Sequence, residues 1–300
     1  MPAITDIKYH IRSVKQTRQI TNAMYLISAS RMRRAVKRID QNRAYFERAA
    51  ETMRDILAHS GDMPRHPYVE RRAVERTPRL QPPKTAYLVI AGNKGLAGSY
   101  NHDILSLAES SFKAGNVKKI FAVGDMAANA LAKHGYETDA RFVHMADAPS
   151  IPQARRFVSE ITALFDAGEI EEFHVIYTRF YNALRRKPVD TVLLPLKLCS
   201  LLDECKVPSP ESYEVIYDPS PYAVMSALVP QLLVGYVYGA LVHANASENS
   251  ARMTAMENAT NSADEVIQTL TVKYNGLRQL NITNELAEIV GGSPTFRENR

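Results

Sequence analysis

Residues Ser247 to Val290 read SENSARMTAMENATNSADEVIQTLTVKYNGLRQLNITNELAEIV, 44 positions with no proline and one glycine, Gly276. Nothing in this stretch forces a helix to stop. Its large apolar side chains, Met253, Met256, Ile267, Leu270, Tyr274 and Leu277, are separated by threes, fours and their sums, which places them on one stripe of a single long helix. Much of the other surface is Asn, Thr, Ser, Gln and Glu, too polar to be buried on every side. Such a helix needs a partner along its stripe.

The opposite end of the chain supplies one. With Ile4 at heptad position a, that position holds Ile4, Ile11, Arg18, Tyr25, Met32, Ile39, Phe46 and Met53, while d holds Ile7, Val14, Thr21, Ser28, Ala35, Asn42, Ala49 and Ile56. This is a coiled-coil seam with small or polar defects. At about 1.5 Å per residue, a helix over residues 3–58 spans roughly 80 Å and one starting near Tyr222 roughly 100 Å. Charge supports the pairing: of the net +5, residues 1–60 contribute +7, whereas Ser247 to Val290 sums to −3. Opposite signs favour association, although each exposed pair contributes little.

Two cysteines, Cys199 and Cys205, and an opening MPAITDIKYHIRSVKQT without an apolar run point to a reducing compartment rather than a disulfide framework or a secretory route. Pro219 to Ser247 has no Lys, Arg, Asp or Glu and raises the question of a membrane span. Pro221, Pro230, Gln231, Gly235, Gly239, His243 and Asn245 interrupt it, and no basic flank sets an orientation. A helix buried between protein surfaces is expected, with no transmembrane segment.

Between the terminal helices the pattern changes twice. Prolines at 64, 67, 78, 82 and 83 leave no room for a regular element in residues 61–83, which read as a charged linker. Then strands TAYLVIAG, KKIFAVG, EFHVIYT and DTVLLPL alternate with helices near 103–114, 125–134 and 153–166, the signature of an inserted, Rossmann-like α/β domain. Short Val, Ile, Phe and Leu runs are expected where both sheet faces are covered. The organisation is therefore an N-terminal helix over 1–60, a linker over 61–83, an α/β domain over 84–218 and a C-terminal helix with a short tail over 219–300.

Chemistry is sparse. Gly92 to Ser99 follows a strand and precedes a helix, where a phosphate can bind, but glycines at 92, 95 and 98 match neither nucleotide-binding signature, and a plain turn fits. No metal-ligand spacing or nucleophile elbow is present, and the eight histidines are scattered. Asp203 and Glu204 would raise the thiol pKa of the cysteines between which they lie. PSPESYEVIYDPSP reads as an exposed loop able to touch a partner. Arg31, Arg33, Arg34, Lys37 and Arg38 form the densest basic cluster, which suits a solvated face, nucleic acid or an acidic protein surface.

The terminal helices also carry specific words. IRSVKQTRQITNAMYLISASRMRRA resembles the N-terminal signature of the γ subunit of F-type ATP synthase, and SARMTAMENAT with NGLRQLNITNELAEIVGG resembles its C-terminal signature. GLAGSYN is similar to that family's GLCGxxN turn, and VIYTRFYNALRRKPVDTVLLPL to its paired strands. The resemblance spans essentially the whole chain. It implies an antiparallel coiled-coil shaft with an inserted α/β foot, a rotor that couples ion-driven turning of a membrane ring to ATP synthesis or hydrolysis on β subunits, without an active site or cofactor of its own.

The implied partners are the α and β subunits of the hexamer, an ε subunit on the α/β domain and the c-ring, with no nucleic acid. The implied location is peripheral, on the cytoplasmic side of the bacterial inner membrane. At matching positions Met24, Arg252, Gln279 and Thr283 would touch β, Arg31, Arg33 and Arg34 would face acidic levers of β, and Tyr213, Tyr217 and Asp218 would meet the ring. Asn22, Tyr25-Leu26 and Ala97 depart from the family words. Cys199 and Cys205 share the spacing of regulatory thiols in the chloroplast branch, but the insertion carrying those thiols is missing.

Overall fold

The computed structural model describes residues 4–59, 66–70, 82–197 and 217–291. Contacts divide the chain into two compact units, Met1–Ile27 with Arg252–Arg300, and Ser28–Ala251. The division falls within both terminal helices, α1 (Ile4–His59) and α5 (Pro221–Gly291).

In the first unit the two helices lie antiparallel. Arg18 Nε stands 2.5 Å from Asp264 Oδ1, and Thr21 Oγ1 stands 2.8 Å from Thr260 Oγ1. The heptad reading holds here: Ile7 is buried, and Ile4, Ile11, Val14, Arg18, Thr21 and Tyr25 are half-buried. Facing them, Met256 and Ala263 are buried, and Ile267, Leu270, Tyr274 and Leu277 are half-buried. The register set by Arg18 and Thr21 brings Ile4, the first described residue of α1, opposite Leu277. Residues 281–289 are accordingly exposed throughout.

The second unit holds the α/β domain. After α1 come β1 (Val69–Glu70), β2 (Lys84–Ile90), α2 (Tyr100–Ala114), β3 (Asn116–Val123), α3 (Asp125–Lys133), a 3-10 turn (Val143–Ala146), α4 (Ile151–Asp166), β4 (Glu172–Phe180), β5 (Arg186–Leu194) and β6 (Leu196–Lys197). The main sheet has the order β3-β2-β4-β5, with β2 parallel to both β3 and β4.

Alternation along the strands builds two cores. Tyr87 and Val89 point toward Ile104, Phe112 and Leu131 of α2 and α3. Ala86, Leu88 and Ile90 belong to the opposite cluster with Phe157 of α4, Met53 and Ile56 of α1, and Met225 and Leu233 of α5. The charge-free half of α5 is therefore a core helix. It includes a window apolar enough to cross a membrane, half of it buried inside the protein.

Two expectations need correcting. The strand read as DTVLLPL is β5, an antiparallel edge strand paired only with β4. Its Arg186–Val192 segment is mostly half-exposed, and it accommodates Pro188, as an edge position permits. The 61–83 linker also contains order. Val69 and Glu70 pair in parallel with Leu196 and Lys197, and the Leu196 N–H donates to Tyr68 O at 2.7 Å. The Tyr68 hydroxyl donates to Asp166 of α4. Only two residues pair, too few to produce a periodic sequence signal.

Along the seam in this unit, Ser28, Ala35, Ala49, Met53 and Ile56 are buried, and Met32, Ile39, Asn42 and Phe46 are half-buried. The helices come very close at two glycines. A Cβ on Gly239 would stand 2.7 Å from Asn42 Nδ2, and that amide donates to Gly235 O at 3.1 Å.

Candidate functional site

The candidate surfaces are the outward faces of the long helices. On α1 in the second unit, Ala35 and Ile39 turn inward with Val242 and Ala246 of α5. Arg31, Arg33, Arg34, Lys37 and Arg38 are exposed, because at 3.6 residues per turn these positions fall on the arc opposite the seam. Arg38 also edges a groove of about 760 Å³ walled by Tyr45, Ile151, Arg155, Val234 and Tyr238.

In the first unit Met24 and Arg252 are half-buried, while Gln279 and Thr283 are exposed. Thr283 Oγ1 donates to the Gln279 backbone carbonyl at 2.9 Å, one helical turn away on the same exposed face. Arg252 lies about 40 Å away along the same helix at 1.5 Å per residue. Sequence reading missed the apolar end of α5, where Leu280, Ile282, Leu286 and Ile289 are exposed. They lie off the inward stripe, and among the described residues none covers them.

Tyr213, Cys199 and Cys205 lie outside the described residues. Tyr217 is half-buried against the main core, which corrects the expectation of a wholly exposed loop, and Asp218 next to it is exposed.

Three arrangements in the α/β domain resemble chemical sites. In the Gly92 to Ser99 turn, the Gly92 N–H donates to Asn101 Oδ1 at 2.9 Å and the Asp125 N–H to Asn93 Oδ1 at 3.0 Å. The turn is held by its own asparagines. A Cβ on Gly92 would stand 2.9 Å from the Glu248 carboxylate, a charge that opposes phosphate.

His174 Nδ1 lies 2.8 Å from Asp190 Oδ1 and its Nε2 3.6 Å from Glu172. Burial opposes its charge, but the hydrogen bonds to Asp190 and Glu172 win and raise its pKa to about 9. Ser111 Oγ donates to Asp190, not to His174, so no imidazole activates the hydroxyl. The network ties β4 to β5 and α2.

His243 of α5 accepts the Phe180 N–H at Nδ1. Burial, aided by the Arg179 guanidinium, pushes its pKa down to about 4. Among the described residues no group of three or more His, Cys, Asp or Glu side chains could hold a metal ion.

Comparison with known proteins gives a consistent result. The family model for ATP synthase matches residues 3–295. The ATP synthase gamma chain of Acetivibrio thermocellus is 38% identical over 303 residues, covering 99% of this chain and all of the relative. The sodium ion specific ATP synthase gamma chain of Acetobacterium woodii is 32% identical, covering 97% of each. Among solved structures, a chain of the Euglena gracilis mitochondrial ATP synthase rotor superposes with a TM-score of 0.61 at 18% identity, covering 93% of this chain and 98% of that one.

Proposed function

The chain belongs to the ATP synthase gamma family, and from that membership we propose how its two helices serve as the turning shaft of the complex. Homologues across nearly its full length are gamma chains, and its fold is that of the central stalk. Catalysis in this family takes place on the β subunits, and the gamma chain acts on it mechanically.

The observation that carries the mechanism is the filled seam. Every a and d position of α1 from Ile4 to Ile56 is at least half-buried, whereas Arg31, Arg33, Arg34, Gln279 and Thr283 face outward. A seam of this kind lets the paired helices transmit force through packing. Outward polar groups form and break contacts at modest cost, which suits a surface that meets each β subunit in turn. Met24 and Arg252, being half-buried, would add contacts at the edge of the seam.

The exposed apolar end, Leu280 to Ile289, would seat in a surrounding sleeve of α and β. The α/β domain would carry the ε subunit and rest on the c-ring near Asp218, at the cytoplasmic face of a bacterial inner membrane. Reconstitution of α and β with and without this chain is the test. We expect the purified chain to hydrolyse no ATP and to be required for active particles; equal rates in both mixtures would overturn the reading.

A further inference from the structure

The hairpin between β4 and β5 ends in a turn that is rigid, apolar at its tip and positively charged. The Tyr181 and Asn182 N–H groups both donate to Arg185 O, and Asn182 Oδ1 accepts from the Leu184 N–H at 3.0 Å and the Arg185 N–H at 2.7 Å. Ser250 Oγ of α5 donates to Ala183 O at 2.6 Å. This fixed turn holds Leu184 at 88% exposure and the Arg185 guanidinium 5.0 Å from the Tyr181 ring. Isolated exposed leucines are ordinary; one held outward by five hydrogen bonds among cations is a built feature.

Charge distinguishes this tip further. Arg179 is the direct cross-strand partner of Lys187, and Phe180 of Arg186. Like charges directly opposite destabilise a hairpin, so the fold itself gains nothing from the Arg179 and Lys187 pairing. The packing also sets the tip at one level with a second basic group. Phe180 packs in the cluster formed by Ala35, Ile39, Val242 and Ala246, so the hairpin ends beside the turns of α1 that carry Arg31, Arg34 and Arg38. Residues 28–39, 179–189 and 237–247, which meet there, carry only basic charge; of the acids that border them, Asp40 pairs with Arg43 and Asp190 with His174. Two basic clusters about 150 residues apart in sequence are thus brought to the same packing cluster.

We infer that the hairpin tip, through Leu184, Arg185, Arg186 and Lys187, extends the basic arc of α1 into a two-part docking surface for an acidic face of the α/β hexamer. The inference rests on the rotor reading and adds the inserted domain to the contacts that reading assigns to the helices. Complementary charge fixes the partner class: a cationic rim around an apolar anchor fits an acidic protein surface with a shallow apolar recess.

The test is competitive assembly. Equimolar wild-type chain and R185E/R186E/K187E chain are mixed with limiting α and β, and the ratio incorporated is read by mass spectrometry at low and high salt. We expect the variant to be under-represented about tenfold at low ionic strength and the bias to shrink above about 0.5 M salt, as screening requires. L184S should be under-represented at both. Equal incorporation of variant and wild type at every salt concentration overturns the proposal, as does a charge-dependent loss of binding to anionic phosphatidylglycerol vesicles with assembly intact. If neither chain enters particles, the rotor reading fails rather than the hairpin assignment. R185Q/R186Q/K187Q, which keeps the turn and removes the charge, should show a smaller bias of the same sign; unchanged melting of all variants excludes misfolding as the cause.

Discussion

Thr21 and Thr260 share a hydrogen bond across the helix seam at 2.8 Å while each hydroxyl also lies within reach of a carbonyl of its own helix, Arg18 O at 3.0 Å and Met256 O at 2.8 Å. Two protons serve three contacts, so one of the three is always made without its proton. Removing one hydroxyl leaves the other with its own carbonyl. Thr21→Val or Thr260→Val alone should cost about 1 kcal/mol or less in urea unfolding, and the double variant should cost less than the two combined, because two matched apolar groups replace the pair.

Stability should form a dome in pH, with a separate histidine behind each limb. The folded pKa of His243 lies near 4, below its ordinary 6.5, so the unfolded chain binds the extra proton between those values. Stability is lost as pH falls from about 6.5 to 4, by up to about 3 kcal/mol. His243→Asn should flatten this limb.

His174, raised to about 9, acts in the opposite sense. Its contribution is present below 6.5 and is lost as pH rises toward 9. The loss should be on the order of 2 kcal/mol, allowing for partial solvent screening, and Asp190→Asn should remove most of it. Denaturant titrations at pH 4.5, 6.5 and 9 read both limbs.

Gly124 and Gly95 should differ sharply in their response to alanine. Gly124 has φ +94°, and a Cβ there would stand 2.4 Å from Ala91 O; Gly124→Ala should destabilise by about 2–4 kcal/mol. Gly95 has open space around its Cα, and Gly95→Ala should change stability by less than about 0.5 kcal/mol. Melting temperatures of the two variants decide the matter.

Serine in place of Ile282, Leu286 and Ile289 together should leave the melting of the purified chain within about 1 °C of wild type, since residues 281–289 are exposed throughout. Met53→Ala, at a fully buried position, should cost about 2–4 kcal/mol. Reversal of that order would mean that the tail packs more than its exposure allows.

The long helices were legible in the sequence because a heptad repeat records its partner at every turn: Ile4, Ile7, Ile11 and their successors all proved covered. The central strand β2 was legible for a similar reason, being apolar on both faces. What escaped reading was fixed by nonlocal geometry. The pairing of Val69 with Leu196 involves two residues and leaves no period, the half-exposure of β5 follows from its place at the sheet edge, and the exposure of residues 281–289 follows from the register of the two helices. The outward residues of the candidate surfaces carry no periodic signal either; charge density singled out Arg31, and only resemblance singled out Gln279 and Thr283.

Asn42 sits at a seam position and reaches Gly235 O through the gap that Gly235 and Gly239 leave. One heptad away along α5 the same amide would meet Leu228 or Val242, whose side chains would stand where the glycine leaves the backbone carbonyl open. The coil therefore has a single phase, and axial slippage of one strand past the other is blocked at a polar key. A polar contact of this kind resists sliding, so a load placed on one helix at this point would pass to the other.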